Sequence, residues 1–274
     1  MPIQKRSLCI FPHFSGLQHF PHYVLIYVNE LSNYFDEVIV ATNQRNFTKD
    51  EGVFNDNVTV KYFKNEGYDL GLFHKVFRII QPENYHQIAC VNDSNILFNK
   101  LLPVFKWSEK SEADFWGLID SYEKPWFSTH QDNYHIQSHF IVFKENAIMH
   151  LSSFFENLDI QNIIKEIDPK KLRRMVIDQW EIGISQYLFS KGLKSDSFIN
   201  SQSFLTKYRR KDKNITHSLY KKLICEGYPL VKKKIVLEKS WKSLFGIKYP
   251  WEKLLTENAY SDWDISLAID EIKR

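Results

Sequence analysis

Short apolar runs and longer amphipathic ones alternate along the first hundred residues. SLCIFPHF from Ser7, EVIVATN from Glu37, VTVKYF from Val58 and HQIACVN from His86 have strand length and β-branched or aromatic content, so each reads as a strand. Between the first two, PHYVLIYVNELSNYF places Tyr23, Val24, Tyr27, Val28, Leu31 and Tyr34 at helical intervals and predicts a helix with a broad buried stripe. LGLFHKVFRII from Leu70 reads as a second helix, and SNILFNKLLPVF as a third, opened by Ser94. The order β-α-β-β-α-β-α, with crossovers of this length, predicts an α/β fold with a mostly parallel central sheet flanked by helices.

The second half has a different pattern. ADFWGLIDS and YHIQSHFIVFK read as strands, joined by the aromatic, polar loop YEKPWFSTHQDN that could rim an active site. IDQWEIGISQYLFSKGL is amphipathic and ends at Gly192, a fitting helix stop. Residues 201–217 are polar and expected to be mobile, and SDWDISLAIDEIKR reads as a closing helix with Ser261 and Asp264 at N-cap spacing. There is no internal repeat and no low-complexity linker.

Three polar clusters sit where strands should end: PHFSG with His13; Asn65, Gly67, Asp69 and Gly71; and Asn92, Asp93 and Ser94. Ligands on open parallel sheets bind beyond the carboxyl ends of the strands, so the three converge on one candidate cleft. A lone carboxylate at such a strand end, Asp93, suits a divalent cation that keeps its other positions for water and phosphate oxygens; alternatively Asp93 or Ser94 caps the helix expected near Asn95. Gly67 and Gly71 permit a tight turn and close backbone approach, with Asn65 and Asp69 in reach of a base or ribose, although an ordinary turn has the same composition. Neither a phosphate loop of the nucleotide-hydrolase type nor a dinucleotide fingerprint is present.

Composition narrows the classes. At 274 residues, 43% hydrophobic and 15% aromatic, the chain can bury a large core in one domain. Cys9, Cys90 and Cys225 are widely spaced and odd in number, which reads as reduced packing residues in a cytosolic setting. No apolar run has the length of a signal peptide or a membrane span, so neither export by that route nor membrane crossing is expected. A net charge of +3 does not argue for nucleic acid, and no nucleic-acid module is present. The cations do cluster, in KEIDPKKLRR, KYRRKDKN and VKKKIVLEKSWK, either as solvated faces or as attraction for an anionic ligand or lipid. SWKSLFGIKYPWEKLL, with Trp241, Leu244, Phe245 and Trp251 among lysines, could rest on anionic lipid or pack half-buried against the domain.

The ordered series NEGYDLG, VNDS, DFWGLIDS, HIQSHFIVF, WEIGISQYL, NITHSLYKKLICEGYPLVKKKIV and DWDISLAIDEIKR resembles the rhamnan synthesis protein F family of glycosyltransferases. The resemblance covers most of the chain beyond about residue 20. It implies a GT-A glycosyltransferase fold with a Rossmann-like sheet and a helical C-terminal extension, one domain over residues 1–274. Residues 1–110 would form its nucleotide-sugar-binding half, and residues 111–274 its acceptor-binding half and C-terminal helices. It further implies a nucleotide-sugar donor, a saccharide or lipid-linked saccharide acceptor, and a place in cell-surface polysaccharide synthesis, of the lipopolysaccharide kind, at the cytoplasmic face of the membrane.

Where many GT-A enzymes carry two carboxylates in a D-x-D motif, this sequence has Asn92-Asp93-Ser94 with one. Dependence on Mn²⁺ or Mg²⁺ is therefore open, and Lys232 and Lys233 are candidates to neutralise the donor diphosphate. Glu181 matches the position of the GT-A base that deprotonates the acceptor hydroxyl, with Asp178 one turn earlier as rival. His13 joins the donor side. Gln137, Ser138 and His139, polar within an apolar strand, are assigned to the sugar or acceptor. His217 at a helix start could ligate a metal with Asp93, contact the pyrophosphate or cap the helix. Trp116, Trp126 and Trp180 offer faces to a sugar or fill the core. A non-catalytic nucleotide-sugar or carbohydrate-binding protein is the alternative, motivated by the missing second carboxylate; a sugar-nucleotide pyrophosphorylase is disfavoured because the glycine-rich, lysine-containing N-terminal loop expected of one is absent from this sequence.

Overall fold

The computed structural model describes residues 5–16, 19–43, 54–212, 214–237 and 250–273. The first half runs β1 (Arg6–His13), α1 (His22–Leu31), β2 (Glu37–Thr42), β3 (Val58–Tyr62), α2 (Tyr68–Phe77), β4 (Tyr85–Val91), β5 (Asn95–Leu97) and α3 (Leu102–Ser108). Then come β6 (Phe115–Ser121), β7 (His135–Ile136), β8 (Phe140–Lys144), α4 (Glu145–Asn157), α5 (Ile160–Lys165) and α6 (Pro169–Val176), whose last turn widens into a π-helical stretch, Ile177–Ile182, before α7 (Gly183–Ser190). The chain continues through β9 (Ser195–Ile199), α8 (Ser201–Lys207), α9 (Ile215–Ser218), α10 (Tyr220–Cys225), β10 (Leu230–Lys232), α11 (Lys233–Leu237), α12 (Pro250–Asn258) and α13 (Ile265–Lys273).

The main sheet has the order β3-β2-β1-β4-β8-β6-β7, with β9 also paired to β6. Strands β3, β2, β1 and β4 are parallel, β9 is parallel to β6, and β8 and β7 enter antiparallel. The expected α/β architecture with a mostly parallel, helix-flanked sheet is what the chain adopts. Period-two alternation decides the layers: Leu8 and Ile10 of β1 pack on one face with α2, α4 and α7, while Cys9 and Phe11 pack on the other with α1 and the C-terminal helices. Both faces are buried, so β1 is a continuous apolar run.

Several expectations need correction. Ser94 does not open a helix: Asn95–Leu97 forms β5, antiparallel to β10, because Ile96 and Leu97 bury themselves best beside Val231 and Leu230. The helix starts only at α3, with a proline in its first turn. YHIQSHFIVFK is two strands, interrupted at Gln137–His139. Much of residues 201–217 is helical, as α8 and α9. Asp264 caps α13, its Oδ1 accepting from the Leu267 amide at 2.9 Å, whereas the Ser261 hydroxyl donates to Asp262. Gly192 closes α7 with φ of +78°, the left-handed conformation expected of a helix stop. Cys9 and Cys90 are buried free thiols, but Cys225 is exposed rather than packed.

The tryptophans divide by environment. Trp116 and Trp180 are wholly buried, Trp116 against Phe105, Trp107 and Phe140, so neither presents a face to a sugar; Trp126 is 82% exposed. Trp251, counted with the lipid-facing segment, is buried at 3% exposure, while Trp241, Leu244 and Phe245 lie outside the described residues. No helix among the described residues is long and apolar enough to cross a membrane. As a core residue, Trp116→Ala is expected to cost about 3–5 kcal/mol of unfolding free energy, read from urea denaturation midpoints. A loss under about 1 kcal/mol would contradict its packing role.

Candidate functional site

The carboxyl ends of β1 and β4, the start of α2, the β7–β8 turn, α6 with its π-helical extension, and the β10–α11 junction enclose a cleft of about 530 Å³. Its walls carry three carboxylates, Asp69, Asp93 and Glu181, and three basic side chains, Arg173, Lys232 and Lys233. His13, Asn65, Asn92, Ser94, Gln137, Ser138 and His139 also line it. The predicted strand ends thus meet in one place.

Asp93 is the most heavily bonded of the acids. Its Oδ2 accepts from His13 Nδ1 at 2.9 Å, the Tyr23 hydroxyl at 3.0 Å and Lys233 Nζ at 3.0 Å. Burial pushes this carboxyl up, but the His13 hydrogen bond and the Lys233 charge outweigh it and hold Asp93 below the usual carboxylate range. Beside it, Asn92 is oriented on both sides: its Nδ2 donates to Asp69 Oδ2 at 2.7 Å and its Oδ1 accepts from the Ser94 amide and hydroxyl at 3.1 and 2.6 Å. That donor set does not suit a divalent cation. The one strand-end carboxylate is already paired with an ammonium, and among the described residues no group of three His, Cys, Asp or Glu gathers to hold a metal. His217, the other expected ligand, lies on α9 and not in the cleft lining.

Glu181 faces the cleft from the π-helical stretch, whose extra residue per turn re-aims it relative to an ordinary helix. Its Oε2 accepts from the Ser138 hydroxyl at 2.9 Å, and its Oε1 lies 3.5 Å from His135 Nε2. The His135 Nδ1 lies 2.7 Å from the Asn133 carbonyl oxygen, which can only accept, so both ring nitrogens face acceptors and the doubly protonated ring is favoured. Burial pulls His135 down, yet the Glu181 carboxylate carries it above its ordinary value. In turn, burial pushes Glu181 up, but His135, the charge of Lys232 and the Ser138 hydroxyl bring it down to about 2. Asp178 stands apart: its carboxylate accepts from the Thr129 amide and hydroxyl at 2.9 and 2.7 Å, and it does not line the cleft. Its bonds to Thr129 tie down the 122–133 loop.

The glycines of the first cluster shape the turn and not a ligand contact. Gly67 adopts φ of +77° at the start of α2, and a Cβ on Gly71 would lie 1.7 Å from the Glu66 carbonyl oxygen. Neither glycine lines the cleft. Gln137, Ser138 and His139 do, from the turn between β7 and β8; His139 Nε2 lies 2.7 Å from the Tyr228 hydroxyl, and burial with nearby Lys232 lowers its pKa to about 3, so it is neutral.

Sequence reasoning missed Tyr23, Tyr68, His135 and Arg173. Tyr23 belongs to the apolar stripe of α1 and looks like core, and Arg173 sits in a basic run that reads equally as a solvated face or as attraction for an anion, with nothing to single out this residue. Tyr68 carries the one available signal, its place directly after Gly67: it takes φ of 52°, rare for an aromatic residue, and lines the cleft at 40% exposure.

The family model for rhamnan synthesis protein F matches residues 38–273, which include all of the cleft lining except Pro12, His13 and Phe14. The chain belongs to the rhamnan synthesis protein F family. No curated protein sequence matches it. Among solved structures it is similar to the glycosyltransferase GlyE of Streptococcus pneumoniae TIGR4, at 9% identity and a TM-score of 0.41, over 97% of this chain and 63% of that one. It is also similar to 4-diphosphocytidyl-2C-methyl-D-erythritolsynthase from Anaerococcus prevotii DSM 20548, at 10% identity and a TM-score of 0.43, over 72% of this chain and 89% of that one. Both likenesses are remote.

Asp69 gives this family member a pH signature. Burial pushes its carboxyl up to about 6, with the Asn92 hydrogen bond opposing and the Glu181 charge adding. Folding therefore disfavours the ionised form, and the penalty grows as pH rises from about 4, where the unfolded group titrates, to about 6. Asp69→Asn should be more stable than wild type at about pH 7.5 and lose that advantage at about pH 4, as measured by denaturation midpoints at the two pH values. An equal difference at both would contradict the shift.

Proposed function

We propose that the protein is a glycosyltransferase of GT-A type, one domain over residues 1–274. It moves a hexose or a deoxyhexose such as rhamnose from a nucleotide sugar to a saccharide or lipid-linked saccharide acceptor in cell-surface polysaccharide synthesis. The observation that carries this reading is an ionised glutamate, Glu181, in the same cleft as Lys232, Lys233 and Arg173, at the strand ends of a parallel sheet. Family membership supports the reaction class.

In an inverting transfer the acceptor oxygen bonds to the anomeric carbon while the bond from that carbon to the donor phosphate oxygen breaks. The bonding pair leaves with the nucleoside diphosphate, and the acceptor proton goes to a carboxylate on the opposite side. Glu181 takes that proton. Held at about 2, it is a weak base toward a free hydroxyl, but it is ionised throughout the physiological range and the hydroxyl becomes acidic as its oxygen begins to bond. Ser138 and His135 fix its two oxygens, so it waits in position. Asn65, Tyr68 and Asp69 lie on the donor side, where the base and ribose would rest, and Gln137 with His139 lines the sugar or acceptor side.

Glu181→Gln keeps shape and hydrogen-bonding reach but cannot take the proton, so transfer should fall by roughly 10²–10⁴-fold with donor affinity unchanged. Product configuration, read by NMR against that of the donor, should be inverted. Retention, or near-normal turnover in the variant, would sink the assignment; donor binding with no transfer to any acceptor in wild type would favour a non-catalytic binding protein.

A further inference from the structure

We propose that Lys233, locked to Asp93 and Tyr23, takes the diphosphate of the donor together with Lys232, in the place where a divalent cation would otherwise stand. This role presupposes that the cleft receives a nucleotide sugar. A hard dication needs several oxygen ligands at roughly 2.0–2.6 Å. The Oδ2 of Asp93 already receives three donors, and a neighbouring side-chain oxygen at the same strand end, Asn92 Oδ1, is engaged twice by Ser94. A dication entering here would meet the Lys233 ammonium, 3.0 Å from the carboxylate it needs.

Lys233 is built in as a fixed cation. Its Nζ donates to Asp93 Oδ2 and to the Tyr23 hydroxyl, each at 3.0 Å, which commits two of its three protons and leaves the third for a ligand. The side chain is 23% exposed and lines the cleft. Its backbone is held as well: the Lys233 amide donates to the Ser94 carbonyl at 3.1 Å, and the preceding strand pairs with β5, directly after Asp93. The lysine and the acid therefore keep their relation without ligand, as a preorganised anion site requires. Lys232 lies alongside, largely desolvated, its ammonium with no hydrogen-bond partner among the described residues; burial lowers its pKa, which an incoming anion would reverse.

The test is calorimetric binding of uridine, thymidine and guanosine diphosphates and of the nucleotide sugars built on them to wild type in EDTA, Mg²⁺ and Mn²⁺, then to Lys233→Met and Lys233→Arg. The expected result is binding of at least one nucleotide with affinity within about twofold in EDTA and metal. The Met variant should lose roughly 10- to 100-fold, as for loss of one charge-assisted hydrogen bond, and Arg should recover part of it. Because the metal comparison uses wild type alone, it stands whether or not the variants fold. Binding that needs Mg²⁺ or Mn²⁺ would overturn the lysine's role and leave the glycosyltransferase reading intact. Metal-free binding that is unaltered in a folded Met variant would overturn it too. No binding of any nucleoside diphosphate or nucleotide sugar, with or without metal, would overturn both.

Discussion

The Asp93 carboxylate is the knot on which the cleft depends. It joins the end of β4 to His13 on β1, Tyr23 on α1 and Lys233 at the β10–α11 junction, partners 70 to 140 residues away in the chain. A buried acid is costly unless its charge is met, and here one imidazole, one hydroxyl and one ammonium meet it. The same bonds fix the C-terminal segment over the strand ends, so the C-terminal part of the chain supplies a wall of the cleft and not only a cover for the core. Removing any one partner leaves the others around an undercompensated group.

The other two acids of the cleft are driven apart by their surroundings. Asp69, desolvated and close to Glu181, rises to about 6; Glu181, held by His135, Lys232 and Ser138, falls to about 2. Divergent environments for neighbouring carboxylates are how one site keeps separate proton roles. Near neutrality Glu181 is ionised, whereas Asp69, pushed up to about 6, titrates much closer to neutrality. His135 holds the Glu181 side of this division, since both its nitrogens face acceptors.

Much of this was legible in the sequence, for physical reasons. Buried parallel strands are short apolar runs, and the polar residues directly after them can only lie at the sheet's edge, so the sequence itself points His13, Asn65, Asp69 and the 92–94 cluster to one cleft. Side-chain partnership was not legible. Tyr23 follows the helical stripe that also carries Val24 and Tyr27, and only its hydroxyl, reaching Asp93, sets it apart. The sequence favours Glu181 with Asp178 one turn earlier as its rival; the π-helical stretch and the Thr129 bonds separate their surroundings in space. The helix expected from Ser94 failed because the partner of β5 lies more than a hundred residues downstream, beyond any local window. Trp116 and Trp126 look alike as aromatic candidates until the sheet buries one and a loop exposes the other.

The most direct test is a crystal structure of the wild-type chain grown with a nucleoside diphosphate and excess Mn²⁺. The phosphate oxygens should lie within hydrogen-bond distance of Lys233 Nζ and Lys232 Nζ, with the Asp93–Lys233 pair intact and the sugar-facing side of the diphosphate toward Glu181. Anomalous density for Mn²⁺ between Asp93 and the phosphates, with Lys233 displaced, or a diphosphate bound outside the cleft, would contradict it.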